Sequence, residues 1–233
     1  MFDTYLRNVK DRLGEPIARR MPNIPPSSIT LTALFFGLGS AALAAHGLFL
    51  WSLAFWLLNR TLDGLDGLLA RLHNRQDDFG GYLDILFDFV AYAAVPIGLV
   101  LAAPTAERYL ALAIMLATFY VNSASWMYLA AVLEKRNARD PKTATTIVMP
   151  SGLVGGFETI LAYGVFLIFP EHITALFYFF SALVFITIMQ RLAWARRTLV
   201  NGDATWQNLP PAEQPQISVY KPLRADKSTF RKP

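Results

Sequence analysis

The sequence of 233 residues contains no cysteine. This excludes a disulfide framework, a thiolate metal site and a thiol nucleophile. Charge is also scarce: 16% of residues are charged, against about 25% in an ordinary soluble domain. The stretch Met1 to Pro22 lacks the apolar core of a signal peptide, and no solenoid-type repeat is evident. What is present is 54% hydrophobic residues and a mean hydropathy of +0.36. They are gathered into runs near the 20 residues that a membrane helix needs, without the two-residue alternation of outer-membrane strands. The net charge of +4 does not point to nucleic acid. The basic residues lie in tails and loops beside apolar spans, where the positive-inside rule and anionic lipid account for them.

The composition and periodicity predict an all-α integral membrane protein with six transmembrane helices, near 27–47, 50–72, 79–102, 109–133, 152–169 and 173–194. Short connections fall near 48, 103–108 and 170–172. The fifth span is short and begins with Gly152, Gly155 and Gly156, so irregularity is expected there. Ahead of the spans, Phe2, Tyr5, Leu6, Val9 and Leu13 recur at helical spacing with Arg7, Lys10 and Arg12 between them. This predicts an interfacial amphipathic helix over 1–22. Residues 23–199 form the expected transmembrane catalytic domain. The basic tail, 200–233, carries Pro210, Pro211, Pro215 and Pro222 without apolar periodicity, and it is expected to be disordered. Nineteen of the 21 Lys and Arg residues fall on one side of this layout, with Arg108 opposite and Arg60 inside a span. Both termini and the connections after spans two and four are therefore expected to face the cytoplasm of a plasma (inner) membrane.

Ionisable groups within spans are functional candidates. The exceptional cluster runs Asp63-Gly64-Leu65-Asp66-Gly67-Leu68-Leu69-Ala70-Arg71, followed by Gly80, Asp84 and Asp88. Asp63 and Asp66 are three apart and Asp84 and Asp88 four apart, so each pair shares a helical face. A short connection lets the two faces meet. Four acids packed near lipid repel one another; either some stay protonated or bound cations compensate them. An oxygen-only ligand set selects hard ions such as Mg²⁺ or Mn²⁺ over Zn²⁺. His73 is read as a solvated residue of the connection. Gly64, Gly67, Ala70 and Gly80 leave helix surfaces without bulk. They serve tight helix packing or admit a metal-held phosphate ligand, and only the ligand also explains the acids.

Asp63 to Asp88 resembles the signature of the CDP-alcohol phosphotransferase (CDP-alcohol phosphatidyltransferase) family, D-x-x-D-G-x-x-A-R-(x)8-G-x-x-x-D-x-x-x-D, with Leu72 to Phe79 as the eight-residue spacer. The resemblance implies six transmembrane helices behind a surface helix, a cytoplasm-facing site and a homodimer. It implies transfer of a phosphoryl-linked group from a CDP-linked donor to an alcohol, with release of CMP. It also implies a pair of divalent cations, Mg²⁺ or Mn²⁺, held by Asp63, Asp66, Asp84 and Asp88, with Asp88 as catalytic base. The nucleotide would be admitted or held by Asp66, Gly67, Ala70, Arg71 and Gly80.

The acceptor is harder to read. Relatives that use phosphorylated acceptors tend to carry Lys or Arg inside spans four and five. Here span four reads Tyr120 to Trp126 without a cation until Lys135 and Arg136, and span five begins Gly155-Gly156-Phe157-Glu158-Thr159. An unphosphorylated acceptor is expected on this ground. Glu158 either holds acceptor hydroxyls or an ammonium group, partners Arg60, or packs in protonated form. Asn122 and Ser125, with Ser123, either line the acceptor pocket or hydrogen-bond across helices. Arg60 either offsets the acids or contacts phosphate. Trp51, Trp56 and Trp194 include candidate interfacial anchors.

The expected function is transfer of a phosphatidyl group from CDP-diacylglycerol to a small hydroxylated acceptor. The partners are this lipid donor, the alcohol and membrane lipid, without nucleic acid. A reversed donor, with a CDP-linked headgroup and diacylglycerol, is the second enzyme reading. A divalent-metal transporter is the non-enzyme alternative.

Overall fold

The computed structural model describes residues 15–16, 18–21, 24–139 and 152–200. Most of the expected interfacial helix, the 140–151 connection and the tail beyond Val200 lie outside the described residues. Within them are six α-helices and no strand: α1 (Pro26–Ala45), α2 (Phe49–Leu72), α3 (Asp78–Ala102), α4 (Ala106–Arg139), α5 (Gly156–Ile168) and α6 (Ile173–Val200). A single 3-10 turn, Pro170–His172, joins the last two.

Four of these helices, α1, α3, α4 and α6, are long and apolar enough to cross a membrane. The protein is thus an integral membrane protein, and the expectation of six spans is met for four. The other two fall short for different reasons. α2 has 24 residues but carries Arg60, Asp63, Asp66 and Arg71, which costs it apolarity. α5 has 13 residues, a length of about 20 Å against a hydrocarbon core of about 30 Å. The expected irregularity before it is real. Residues 152–155 are not helical, and their backbone donors are satisfied by side chains. Leu153 donates to Gln190 Oε1 at 2.9 Å, Val154 to Thr187 Oγ1 at 2.9 Å and Gly155 to Glu158 Oε2 at 3.0 Å. Non-helical backbone at membrane depth persists only with such partners.

α1 packs against α2 and α3, α4 against α6, and α5 against α2. Apolar surface alone gives no drive for association in lipid, so close approach and polar contacts hold the helices together. Between α1 and α2, Ser40 Oγ donates to Ser52 O at 2.9 Å and Ser52 Oγ to Ser40 O at 2.7 Å. Two turns further along, Asn59 Nδ2 donates to Ala33 O at 2.6 Å. Between α1 and α3, a Cβ on Gly98 would run into the Ala41 carbonyl, and a Cβ on Gly37 would lie 3.0 Å from Ala91 Cβ. The turn from α1 to α2 passes through Gly47 at φ 74°, a left-handed conformation that glycine adopts without strain.

The main core is aromatic and central. Trp56, Tyr163, Phe166 and Phe177 are essentially inaccessible. Trp56 is therefore not an interfacial anchor. It stacks on Tyr163 with ring centroids 4.9 Å apart, and its indole N–H reaches Ile160 O at 3.3 Å. A second cluster joins Ala18 to Ile29, Leu68 and Leu69, fastening the segment before α1 to the end of α2.

The α1–α3 crossing generates a stability prediction. Gly98→Ala sets a methyl against backbone that no rotamer change can move, whereas Gly81 on the same helix has nothing within 4 Å of an added Cβ. Gly98→Ala should lower stability by about 1–3 kcal/mol and reduce the melting temperature in detergent, with Gly81→Ala close to the parent. Equal melting temperatures for the two variants would refute the close crossing.

Candidate active site

The connection between α2 and α3 decides how the acids meet. α2 runs out at Leu72, and Asn74 adopts φ 51°, the left-handed step that commonly follows a helix end. Three residues later, Asp77 caps α3 by accepting from Gly80 N at 2.7 Å. The chain thus reverses within five residues, 73–77, and turns the acidic face of α2 toward that of α3. His73 is half-buried in this reversal, with Nε2 3.2 Å from Ala18 O. It bridges to the preceding segment instead of standing in solvent.

The four aspartates come together at this junction. Asp63 lies within hydrogen-bonding reach of both Asp84 and Asp88. Asp66 is 4% exposed, and its Oδ2 is buried without a partner, as is Asp84 Oδ1. Such orphaned oxygens are uncommon in a folded protein and cost free energy unless something supplies a proton or a positive charge. Arg60 supplies part of that charge. Its Nη2 lies 2.8 Å from Asp88 Oδ1, and Nη1 lies 3.9 Å from Asp63 Oδ2. Among the described residues no three acidic or imidazole groups enclose a common point that would hold an ion by themselves.

The small residues divide into two uses. A Cβ on Gly80 would stand 3.1 Å from Asp77 Oδ2, so this glycine accommodates the cap of α3 as well as leaving the surface open. A Cβ on Gly67 would stand 3.3 Å from Arg71 Nη1, which places the Arg71 guanidinium over the Gly67 surface. Ala70 is half-buried and Arg71 exposed beside them.

The residues considered for the acceptor occupy two other places. Glu158 is not the partner of Arg60. Its carboxylate accepts from Gly155 N and closes the first turn of α5. Asn122 and Ser125, on α4, both accept from Arg191 Nη1 of α6, at 2.8 and 2.7 Å, and Asn122 O accepts from the same nitrogen at 3.0 Å. None of these bonds reaches the aspartates. Arg191 is only 8% exposed, with Nε buried and unpartnered. Spans four and five are poor in cations, as expected, but a cation reaches α4 from span six. In the sequence Arg191 ends an apolar run and is indistinguishable from the basic border of a membrane helix, so nothing marked it as inward-facing. Trp56, Asn59 and Tyr92, which surround Arg60, were equally unmarked.

Comparison with known proteins fits this arrangement. The family profile described as CDP-alcohol phosphatidyltransferase matches residues 23–195. The inner membrane protein YnjF of Escherichia coli is 37% identical over 172 residues, covering 73% of this chain and 82% of its own. The CDP-diacylglycerol–serine O-phosphatidyltransferase of Helicobacter pylori is 38% identical over 73 residues, 30% of each chain. The archaetidylinositol phosphate synthase of Methanothermobacter thermautotrophicus is 33% identical over 93 residues, 40% of this chain and 47% of its own. The fold is shared with crystal structures of Mycobacterium tuberculosis phosphatidylinositol phosphate synthase. The structure with CDP-DAG bound gives a TM-score of 0.62 at 22% identity, over 79% of this chain and 94% of that one. The structure in complex with manganese and citrate gives 0.61 at 23% identity, over 78% and 88%. A profile spanning the whole helical region, a long relative at this identity and a matching fold make this chain a member of the CDP-alcohol phosphatidyltransferase family, and an enzyme of that class.

Proposed function

We propose that the protein transfers a phosphatidyl group from CDP-diacylglycerol to a small hydroxylated acceptor, releasing CMP. The observation that carries this reading is the pair of buried, unpartnered oxygens, Asp66 Oδ2 and Asp84 Oδ1, in an all-oxygen donor set that Arg60 neutralises only in part. These groups fit hard divalent cations, Mg²⁺ or Mn²⁺. Such ions take one or two carboxylates together with substrate phosphates. Asp63, Asp66, Asp84 and Asp88 would hold a pair of them, whose contribution is to offset charge on the pyrophosphate. Asp88 takes the proton of the acceptor hydroxyl, a role for which a positioned carboxylate supplies about 10²–10⁴-fold. Gly67, Ala70 and Gly80 leave room for the cytidine nucleotide, with Arg71 and Asp66 at its edge. Similarity to a CDP-diacylglycerol–serine O-phosphatidyltransferase and to a synthase whose structure holds CDP-DAG supports the donor.

In this reading α2 and α5 also cross the bilayer, α2 shielded by α1 and α3 and α5 completed by its capped lead-in. The acid cluster, both termini and the basic connections face the cytoplasm, and the protein works as a homodimer. Glu158, Asn122 and Ser125 remain the acceptor candidates on the neighbouring helices. A second reading, a phosphorylated acceptor, is favoured by one observation: the buried Arg191 guanidinium beside Asn122 and Ser125, with Nε unengaged.

CMP release from CDP-diacylglycerol should require Mg²⁺ or Mn²⁺ and stop with EDTA. Asp84→Asn and Asp88→Asn should each lose about 10³-fold or more in kcat. Retained turnover in both would overturn the assigned roles.

A panel of serine, inositol, glycerol, inositol phosphate and glycerol phosphate discriminates the acceptor readings. If the working acceptor is phosphorylated, Arg191→Met should cut kcat/KM for it by about 10–100-fold. If it is not, the same variant should stay within about threefold.

The cysteine-free chain makes the orientation directly measurable. A membrane-impermeant maleimide should label Arg75→Cys only from the cytoplasmic side and Thr105→Cys only from the opposite side. Labelling of both from one side would refute the six-span reading.

A further inference from the structure

Arg60 is held on several sides at once, and its surroundings differ from those of an ordinary ion pair. It is 6% exposed. Nε donates to Asn59 Oδ1 at 2.7 Å, Nη1 to Tyr92 Oη at 3.0 Å and Nη2 to Asp88 Oδ1 at 2.8 Å. The guanidinium carbon lies 4.8 Å from the centroids of both the Trp56 and Tyr92 rings, within cation–π range.

The walls of this cage are fixed from behind by α1 and α5. Asn59 cannot turn its amide, because Nδ2 is committed to Ala33 O of α1. Trp56 is tied through its indole N–H to Ile160 O of α5. Tyr92, on α3, accepts at its carbonyl from Tyr163 Oη, and its ring meets those of Trp56 and Tyr163 edge-on at 5.6 and 5.3 Å. A guanidinium held by three donor bonds and two ring faces cannot swing toward a substrate phosphate. Of the two sequence readings of Arg60, this geometry favours offsetting the acids. It also makes the fork a fixed reference for whatever it touches.

What it touches is Asp88. We infer that Arg60 is a positioning residue for the proposed base. Its caged fork engages Oδ1 of Asp88, stops the carboxylate from rotating and makes the two oxygens inequivalent, so that one is held by the protein and the other is presented to the chemistry. The inference rests on Asp88 acting as the base. A second consequence is electrostatic. A fixed positive charge beside four acids repels divalent cations as well as attracting carboxylates, so Arg60 moderates metal affinity while it aids turnover. A residue that merely supported the fold would push both properties the same way, whereas a positioning cation separates them.

The test uses the full-length protein in detergent, with Mn²⁺ binding followed by electron paramagnetic resonance and CMP release followed kinetically. Arg60→Met should lose about 100-fold or more in kcat, with KM for CDP-diacylglycerol within about threefold and Mn²⁺ bound as tightly as in the parent or more so. Arg60→Lys keeps the charge without the fork, and should bind Mn²⁺ like the parent while losing about tenfold in kcat. Tyr92→Phe removes one donor contact and leaves the ring, and should lose about threefold to tenfold. If Arg60→Met does not fold, the other two variants carry the test. The inference is overturned if Arg60→Lys or Arg60→Met keeps kcat within threefold of the parent, or if Mn²⁺ affinity falls in step with kcat. A parent protein that neither binds Mn²⁺ nor releases CMP would overturn the functional reading itself, a result separable from failure of the variants alone.

Discussion

A carboxylate removed from water must find a positive charge, a proton or a set of donors, and this bundle draws four of them to the junction of α2 and α3. The rest of the first half of the molecule follows from that constraint. The left-handed step at Asn74 and the Asp77 cap reverse the chain tightly enough for the two acidic faces to meet. The serine pair at 40 and 52 and the Asn59 amide fix α2 against α1, while glycines at 37 and 98 bring α1 onto α3. These contacts give a charge-bearing helix the internal partners that lipid cannot offer. The aromatic core beside it does the same for Arg60, surrounding the guanidinium with ring faces where water is lacking.

The second half meets the same demand by another route. α4 and α6 lie together with Arg191 between them, held by Asn122 and Ser125 of α4, while Thr187 of α6 accepts from Val154 N. The short α5 begins inside this half on a segment whose backbone is capped by side chains of α6 and by its own Glu158. An aqueous protein would hydrate such an entry; here Leu153, Val154 and Gly155 each donate to a side chain. The two halves therefore differ in purpose: one concentrates negative charge at a reversal, and the other sustains irregular backbone and a buried cation.

Much of this was legible in the chain itself. The acids were recognisable because carboxylates are out of place in apolar spans, and their spacing of three and four put them on shared faces before any coordinates. The helices were legible from the lengths of their apolar runs, and the break before α5 from its glycines. What escaped was whatever depends on which way a side chain turns. Trp56 has the composition of an interfacial anchor, and only packing shows it stacked on Tyr163. Arg191 has the sequence context of a membrane border, and only the α4–α6 contact turns it inward. Glu158 looked like an acid in search of a cation, yet local backbone geometry gives it an amide donor three residues back. Span counting also has a physical limit in this chain. A helix that carries many charges loses the apolarity by which spans are recognised, so α2 fails the measure because it holds Arg60, Asp63, Asp66 and Arg71.

The same division separates what the family has in common from what can distinguish its members. The signature from Asp63 to Asp88 is confined to α2, α3 and their connection, so every group proposed to act on the nucleotide and its metal ions comes from one helical hairpin. Relatives named for serine and for inositol phosphate chemistry are each similar to part of this chain, so family membership alone does not dictate the headgroup. Discrimination between a phosphorylated and a neutral alcohol needs a cation whose desolvation is offset only by the right ligand. In this protein the side chain with that character is Arg191, whose buried Nε has no partner, and it lies on α6, outside the motif. Acceptor choice would then reside in the α4–α6 half, apart from the acidic hairpin.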